Sequence, residues 1–113
     1  MLRRLLLALP LLATTAAGPA QAQGCDTRFD FFNRSSSTVV EFYFDSSRNP
    51  NWTRDELGDG VLPAGQSRRF AAAYSGPYDF KAVMEGGGSV ELRRVDICAI
   101  TRVTLTNNGL RAE

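Results

Sequence analysis

Asp55, Glu56 and Asp59 crowd one short stretch of the chain and offer carboxylates with backbone carbonyls nearby, a donor set suited to Ca²⁺. Their spacing departs from the EF-hand pattern, which needs acidic or amide residues at alternate positions and a distant glutamate. Just upstream, Trp52 is the single tryptophan; with Tyr43 and Tyr74 it could stack on a sugar or a peptide. Catalysis has thinner support. The chain contains no histidine, which removes Ser-His-Asp and Cys-His arrangements. Gly86-Gly87-Gly88 lacks the lysine and the strand-to-helix setting of a phosphate loop. A pair of carboxylates could hydrolyse a glycoside, but the 12 acidic residues are scattered and single out no such pair. No enzyme activity, catalytic residue or cofactor is expected, and a carboxylate-dependent hydrolase is the outlying alternative.

The elements that position these residues begin after an export signal. Residues 1–22 combine a basic start at Arg3 and Arg4, an apolar run and an Ala20-Gln21-Ala22 cleavage site. The run is shorter than the roughly 20 residues a membrane helix needs, so no membrane span is expected. Residues 23–113 then form one small domain, placed in the periplasm or secreted. With Arg3 and Arg4 removed, 11 basic residues face 12 acidic ones, a net charge of −1. That balance gives nucleic acid and acidic lipid no electrostatic handle. Arg68-Arg69 and Arg93-Arg94 are the paired basics, and each pair reads as part of a solvated strand face.

Two cysteines, Cys25 and Cys98, remain after cleavage. In an oxidising compartment an even pair is most simply a disulfide, which by loop closure stabilises by about 4 kcal/mol. The alternative is lipidation of Cys25, since Ala22-Gln23-Gly24-Cys25 loosely matches a lipoprotein signal and would leave Cys98 free. Two cysteines without histidine do not make a zinc site.

The rest reads as short strands. Residues 28–32 put Phe29 and Phe31 on one face. Residues 38–44 are rich in β-branched and aromatic side chains, with Val40, Phe42 and Phe44 expected inside. Residues 66–74 alternate weakly. Residues 78–85 alternate clearly, with Tyr78, Phe80, Ala82 and Met84 inward and Asp79, Lys81 and Glu85 outward. Residues 89–97 and 99–106 follow, and Asn107-Asn108-Gly109 marks the end, with a disordered tail expected to Glu113. Six to seven strands with frequent turns predict an all-β fold, a small antiparallel β-sandwich; a partly open β-barrel is the alternative.

The long connection 51–65 therefore has three readings. As structure, Trp52 and Leu57 anchor it over the open end of the core, Gly58, Gly60 and Gly65 turn it, and Pro63 bends it. Thr53 would cap a helical turn by accepting the Glu56 N–H. As a Ca²⁺ loop it would make a metal-stabilised structural domain. As a recognition loop it would bind an as yet unknown protein, peptide or glycan.

Phe31-Phe32-Asn33, the strand at 39–43, Trp52-x-x-Asp55-x-Leu57-Gly58, Leu62-x-x-Gly65, Tyr78-Asp79-Phe80 and Val95-x-x-Cys98 together resemble a group of small exported bacterial all-β domains of unknown function. The resemblance spans nearly the whole mature chain, and the Trp-x-x-Asp-x-Leu-Gly spacing is its most specific part. It implies an all-β domain outside the cytoplasm, and it marks Trp52, Asp55, Leu57 and Gly58 as a possible recognition loop. It implies no reaction. The group tends to place a cysteine just before the Tyr-Asp pair, where this chain has Ser75-Gly76-Pro77. Either the bridge has moved to Cys25 or Cys98 is unpaired.

Overall fold

Alternation of apolar and polar residues at a period of two demands strands with one buried face, and the computed structural model of the chain contains seven of them across its described residues, 24–113. The expected signal segment, residues 1–22, lies outside the described residues. Strands β1 (Arg28–Asn33), β3 (Ser67–Ala71), β6 (Arg102–Thr106) and β7 (Gly109–Ala112) make one sheet in the order β3-β1-β6-β7. Strands β2 (Val39–Ser46), β4 (Pro77–Met84) and β5 (Ser89–Asp96) make the second, in the order β2-β4-β5. The two sheets stay separate, so the fold is a sandwich and the open-barrel alternative falls. Neighbouring strands are antiparallel except β1 and β6, which run parallel. No helix among the described residues is long and apolar enough to cross a membrane, a statement that does not bear on membrane strands.

The sheets meet through aromatic rings. Phe31 of β1 stacks on Phe42 of β2 with centroids 3.9 Å apart, while Phe29 meets Phe44 and Phe80 edge-on at 5.1 and 5.6 Å. Offset and edge-on pairs of this kind add about 0.5–1.5 kcal/mol each beyond the area they bury. Val103 and Leu105 of β6 close the core. A disulfide joins Cys25, ahead of β1, to Cys98 in a turn of 3-10 helix at Ile97–Ala99, with Cα atoms 5.5 Å apart. The Cys25 sulfur is thus committed to Cys98, so both the lipidated Cys25 and the unpaired Cys98 give way.

Three strand readings are corrected. In β2 the pairing register shifts between Val39 and Glu41, so Val39 joins Phe42 and Phe44 in the core and Val40 is only half-buried. A bulge inserts one residue and reverses the phase of everything before it, which simple alternation does not anticipate. In β4, Asp79 is buried rather than outward, at 6% exposure, because β5 bulges opposite it and wraps backbone around its carboxylate. The tail is ordered, not disordered. Leu110 of β7 pairs with Leu105 of β6, and Glu113 exchanges backbone hydrogen bonds with Arg102. Asn107-Asn108 is a hairpin turn rather than an end.

Candidate functional site

An edge strand presents unpaired N–H and C=O groups, and β2 has such an edge on the side away from β4. The connection 51–65 lies along it. Leu62 and Val39 exchange two backbone hydrogen bonds of 2.9 Å, an isolated antiparallel bridge. Further along, the Phe42 N–H donates to Asp55 Oδ1 at 2.9 Å, and the Phe42 carbonyl accepts the Glu56 N–H at 2.7 Å. Asp55 Oδ1 also accepts the Leu57 N–H at 2.9 Å. A carboxylate and a loop amide here stand in for a neighbouring strand. Leu57 and Leu62 enter the core from this cover, at 4% and 2% exposure.

Asn33 fixes the far end of the loop. Fully buried, it donates through Nδ2 to the Leu62 and Ser37 carbonyls at 2.9 and 2.7 Å, accepts the Ser35 N–H and hydroxyl at Oδ1, and its own carbonyl accepts the Gly65 N–H. By residue type Asn33, followed by Arg34 and three serines, promises only turn chemistry. Its cue was position: an amide closing an apolar strand finds carbonyls on either side. Gly58 adopts a φ of 60°, which favours a residue without Cβ. Three of the four motif residues are thus placed by edge cover, core filling and a turn. Thr53 does not cap a helical turn. Its hydroxyl and N–H both donate to the Asp45 carboxylate, while the Glu56 N–H is taken by Phe42.

The Ca²⁺ reading loses its ligand set. Asp55 serves two backbone amides, Glu56 faces Arg54 at 3.5 Å, and among the described residues no three acidic, cysteine or histidine side chains converge. Removing the edge clip has a defined expected result. Asp55→Ala strands two N–H groups, which lowers stability by about 1–3 kcal/mol, and it bares the β2 edge. Light scattering then shows concentration-dependent association that wild type lacks. A monodisperse Asp55→Ala protein with an unaltered melt contradicts this role.

Trp52, the fourth motif residue, does not enter the core. It lies half-buried on the outer face of the β2-β4-β5 sheet, its ring 6.0 Å from Tyr43. The Arg93 guanidinium of β5 sits 5.1 Å above the indole, and the Lys81 ammonium of β4 lies 5.9 Å from the Tyr43 ring. Cations over aromatic faces are drawn to the ring quadrupole. Tyr43 and Lys81 are direct cross-strand partners, so the sheet register itself sets that contact. The Tyr43 hydroxyl donates to Glu41 at 2.5 Å, and this hydrogen bond, with some burial, pushes the phenol up to about 12. It stays neutral at any physiological pH. Arg93 is held in place by Asp79 at 3.0 Å and by Glu91.

The expected trio of Trp52, Tyr43 and Tyr74 is only partly assembled. Tyr74 lines a separate recess with Tyr78, and Lys81 and Arg93 complete the band instead. Both cations alternate outward in their strands, so a period of two could place them on the surface but not beside the aromatics. Of the arginine pairs, Arg68-Arg69 is a solvated face, as expected, with Arg69 forking onto its cross-strand neighbour Asp30 at 2.9 and 3.2 Å, whereas Arg93 belongs to the band over Trp52. That fork holds the Asp30 carboxyl below its ordinary range. The chain matches no protein-family model, no curated protein and no solved structure.

Proposed function

We propose that this chain is an exported, non-enzymatic binding module that engages a protein, peptide or glycan partner through the Tyr43–Trp52 band. The observation that carries the reading is the placement of Trp52. Its loop is held by Asp55, Leu57, Leu62 and Asn33, none of which needs an indole on the outer sheet face. A half-exposed tryptophan beside tyrosine and arginine is the composition of binding hot spots. Release to the periplasm or the exterior is supported by the disulfide, which persists where thiols oxidise, and by the pattern of residues 1–22. The resemblance to small exported domains through Trp52-x-x-Asp55-x-Leu57-Gly58 supports the same reading.

Affinity capture from an envelope or culture-medium extract, comparing wild type with Trp52→Ala, tests it. Trp52→Ala is expected to melt within a few degrees of wild type and to lose its partner, since truncating a hot-spot aromatic costs about 2 kcal/mol or more of binding. A folded Trp52→Ala protein that keeps every wild-type partner defeats the proposal.

A further inference from the structure

We propose that the recess between the ends of β2 and β3 is a second site, distinct from the Tyr43–Trp52 band, and that it takes one neutral sugar ring. The recess measures about 440 Å³, the size of a small-ligand pocket. Phe44, Ala71, Ala73 and Tyr78 give it apolar walls, and Tyr74 lines it with 74% of its surface exposed. Nothing in the fold depends on that exposed ring, because the tertiary hydrogen bond of Tyr74 is made by its N–H, to the Tyr78 hydroxyl at 3.1 Å.

The polar groups are what single out the ligand. The Tyr78 residue is 4% exposed, its oxygen accepts from Tyr74, and its own proton has no acceptor among the described residues. The Glu56 side chain is 17% exposed, yet one oxygen meets only the Arg54 guanidinium at 3.5 Å and the other has no donor among the described residues. Asp45 is spent on Thr53. The recess therefore offers a free donor in Tyr78, a free acceptor in Glu56 and further donors in Arg54, around aromatic faces. A sugar ring matches this set, since its hydroxyls both donate and accept while its C–H face lies on an aromatic ring. A purely apolar ligand would leave the buried phenol and carboxylate unpaired, at a cost of a few kcal/mol. Asp45 and Glu56 against Arg54 leave one net negative charge, which disfavours uronates and phosphates.

Amide-shift titrations with cellobiose, maltose and N,N′-diacetylchitobiose at millimolar concentrations, with galacturonate as the anionic control, test the proposal on the full mature domain. At least one neutral disaccharide is expected to move the Glu56, Tyr74 and Tyr78 amides. Tyr74→Ala and Glu56→Gln are expected to weaken that binding by about tenfold each. Tyr74→Ala should melt as wild type does. No shift at these amides with any of the three sugars, an equal response to galacturonate, or full binding by Tyr74→Ala overturns the site. Partner capture by the Trp52 face is read separately and stands or falls independently.

Discussion

Replacing Cys25 and Cys98 together by serine is expected to lower the melting temperature by on the order of 10–40 °C. The bridge spans a sequence separation of 73, and closing so long a loop restricts the unfolded chain far more than the folded one. Loop-closure arguments give about 4 kcal/mol, and native disulfides of small exported domains deliver about 2–5 kcal/mol. For a domain of this size each kcal/mol moves the melt by about 4–8 °C. The double variant avoids the stray thiol that Cys25→Ser alone would leave. Thermal melts in oxidising and reducing buffer check the result. Wild type should fall to the level of the variant when reduced, and the variant should not respond. The bridge is also read by intact mass, two units below the reduced chain; an acylated mass would contradict it.

Asp79→Ala is expected to cost about 3 kcal/mol. The carboxylate accepts the Ser47 hydroxyl at 2.7 Å, the Arg94 N–H at 2.8 Å and the Arg93 guanidinium at 3.0 Å. Arg94 has a φ of 59°, a backbone conformation costly for a side chain with Cβ, at the bulge where β5 wraps Asp79. Removing the carboxylate strands a part-buried N–H and frees that strained segment, while the half-exposed Arg93 contributes less because water screens it. Arg93, over the Trp52 ring, also loses one of its two tethers and keeps only Glu91, so the variant should weaken partner capture as well as stability.

The same residue predicts an acid response. Burial pushes the Asp79 carboxyl up, but the hydrogen bonds from Ser47, Arg94 and Arg93 together outweigh it and hold the group below its ordinary value of 3.8. A depressed folded value means that stability is fully present above about 3.8 and is lost as pH falls through the lower folded value. Chemical denaturation across pH 5 to 2 should therefore show a steeper acid loss in wild type than in Asp79→Ala. Parallel curves for the two would remove Asp79 from the acid limb. Asp30, lowered by its Arg69 fork, contributes to the remaining slope in both proteins.

Much of the fold was legible because strands announce themselves by a period of two. The alternation at Tyr78, Phe80 and Ala82 depends only on neighbours along the chain, and those three residues are buried as read. The phase was not legible where a bulge intervened, at Val39 and again opposite Asp79, because a bulge is a property of pairing between strands. The tail escaped notice for a related reason. Gly109–Ala112 is too short to form alone and becomes a strand only against β6.

By itself the sequence determined the all-β class and the peculiarity of the connection 51–65, and it made a Cys25–Cys98 bridge the simplest of the cysteine readings, which the structure then selected. All three follow from composition and local spacing: β-branched and aromatic alternation, turn residues gathered around Trp52, and an even pair of cysteines. Tertiary structure alone decided what that connection does. Strand order leaves β2 with an open edge, and so Asp55 becomes its hydrogen-bonding partner rather than a metal ligand. Cross-strand register sets Lys81 beside Tyr43, the lie of the 51–65 connection on the sheet brings Trp52 to Arg93, and Tyr74 is left at a different recess. Contacts between residues distant in the chain depend on which strands become neighbours, and hydrophobic alternation is indifferent to that choice.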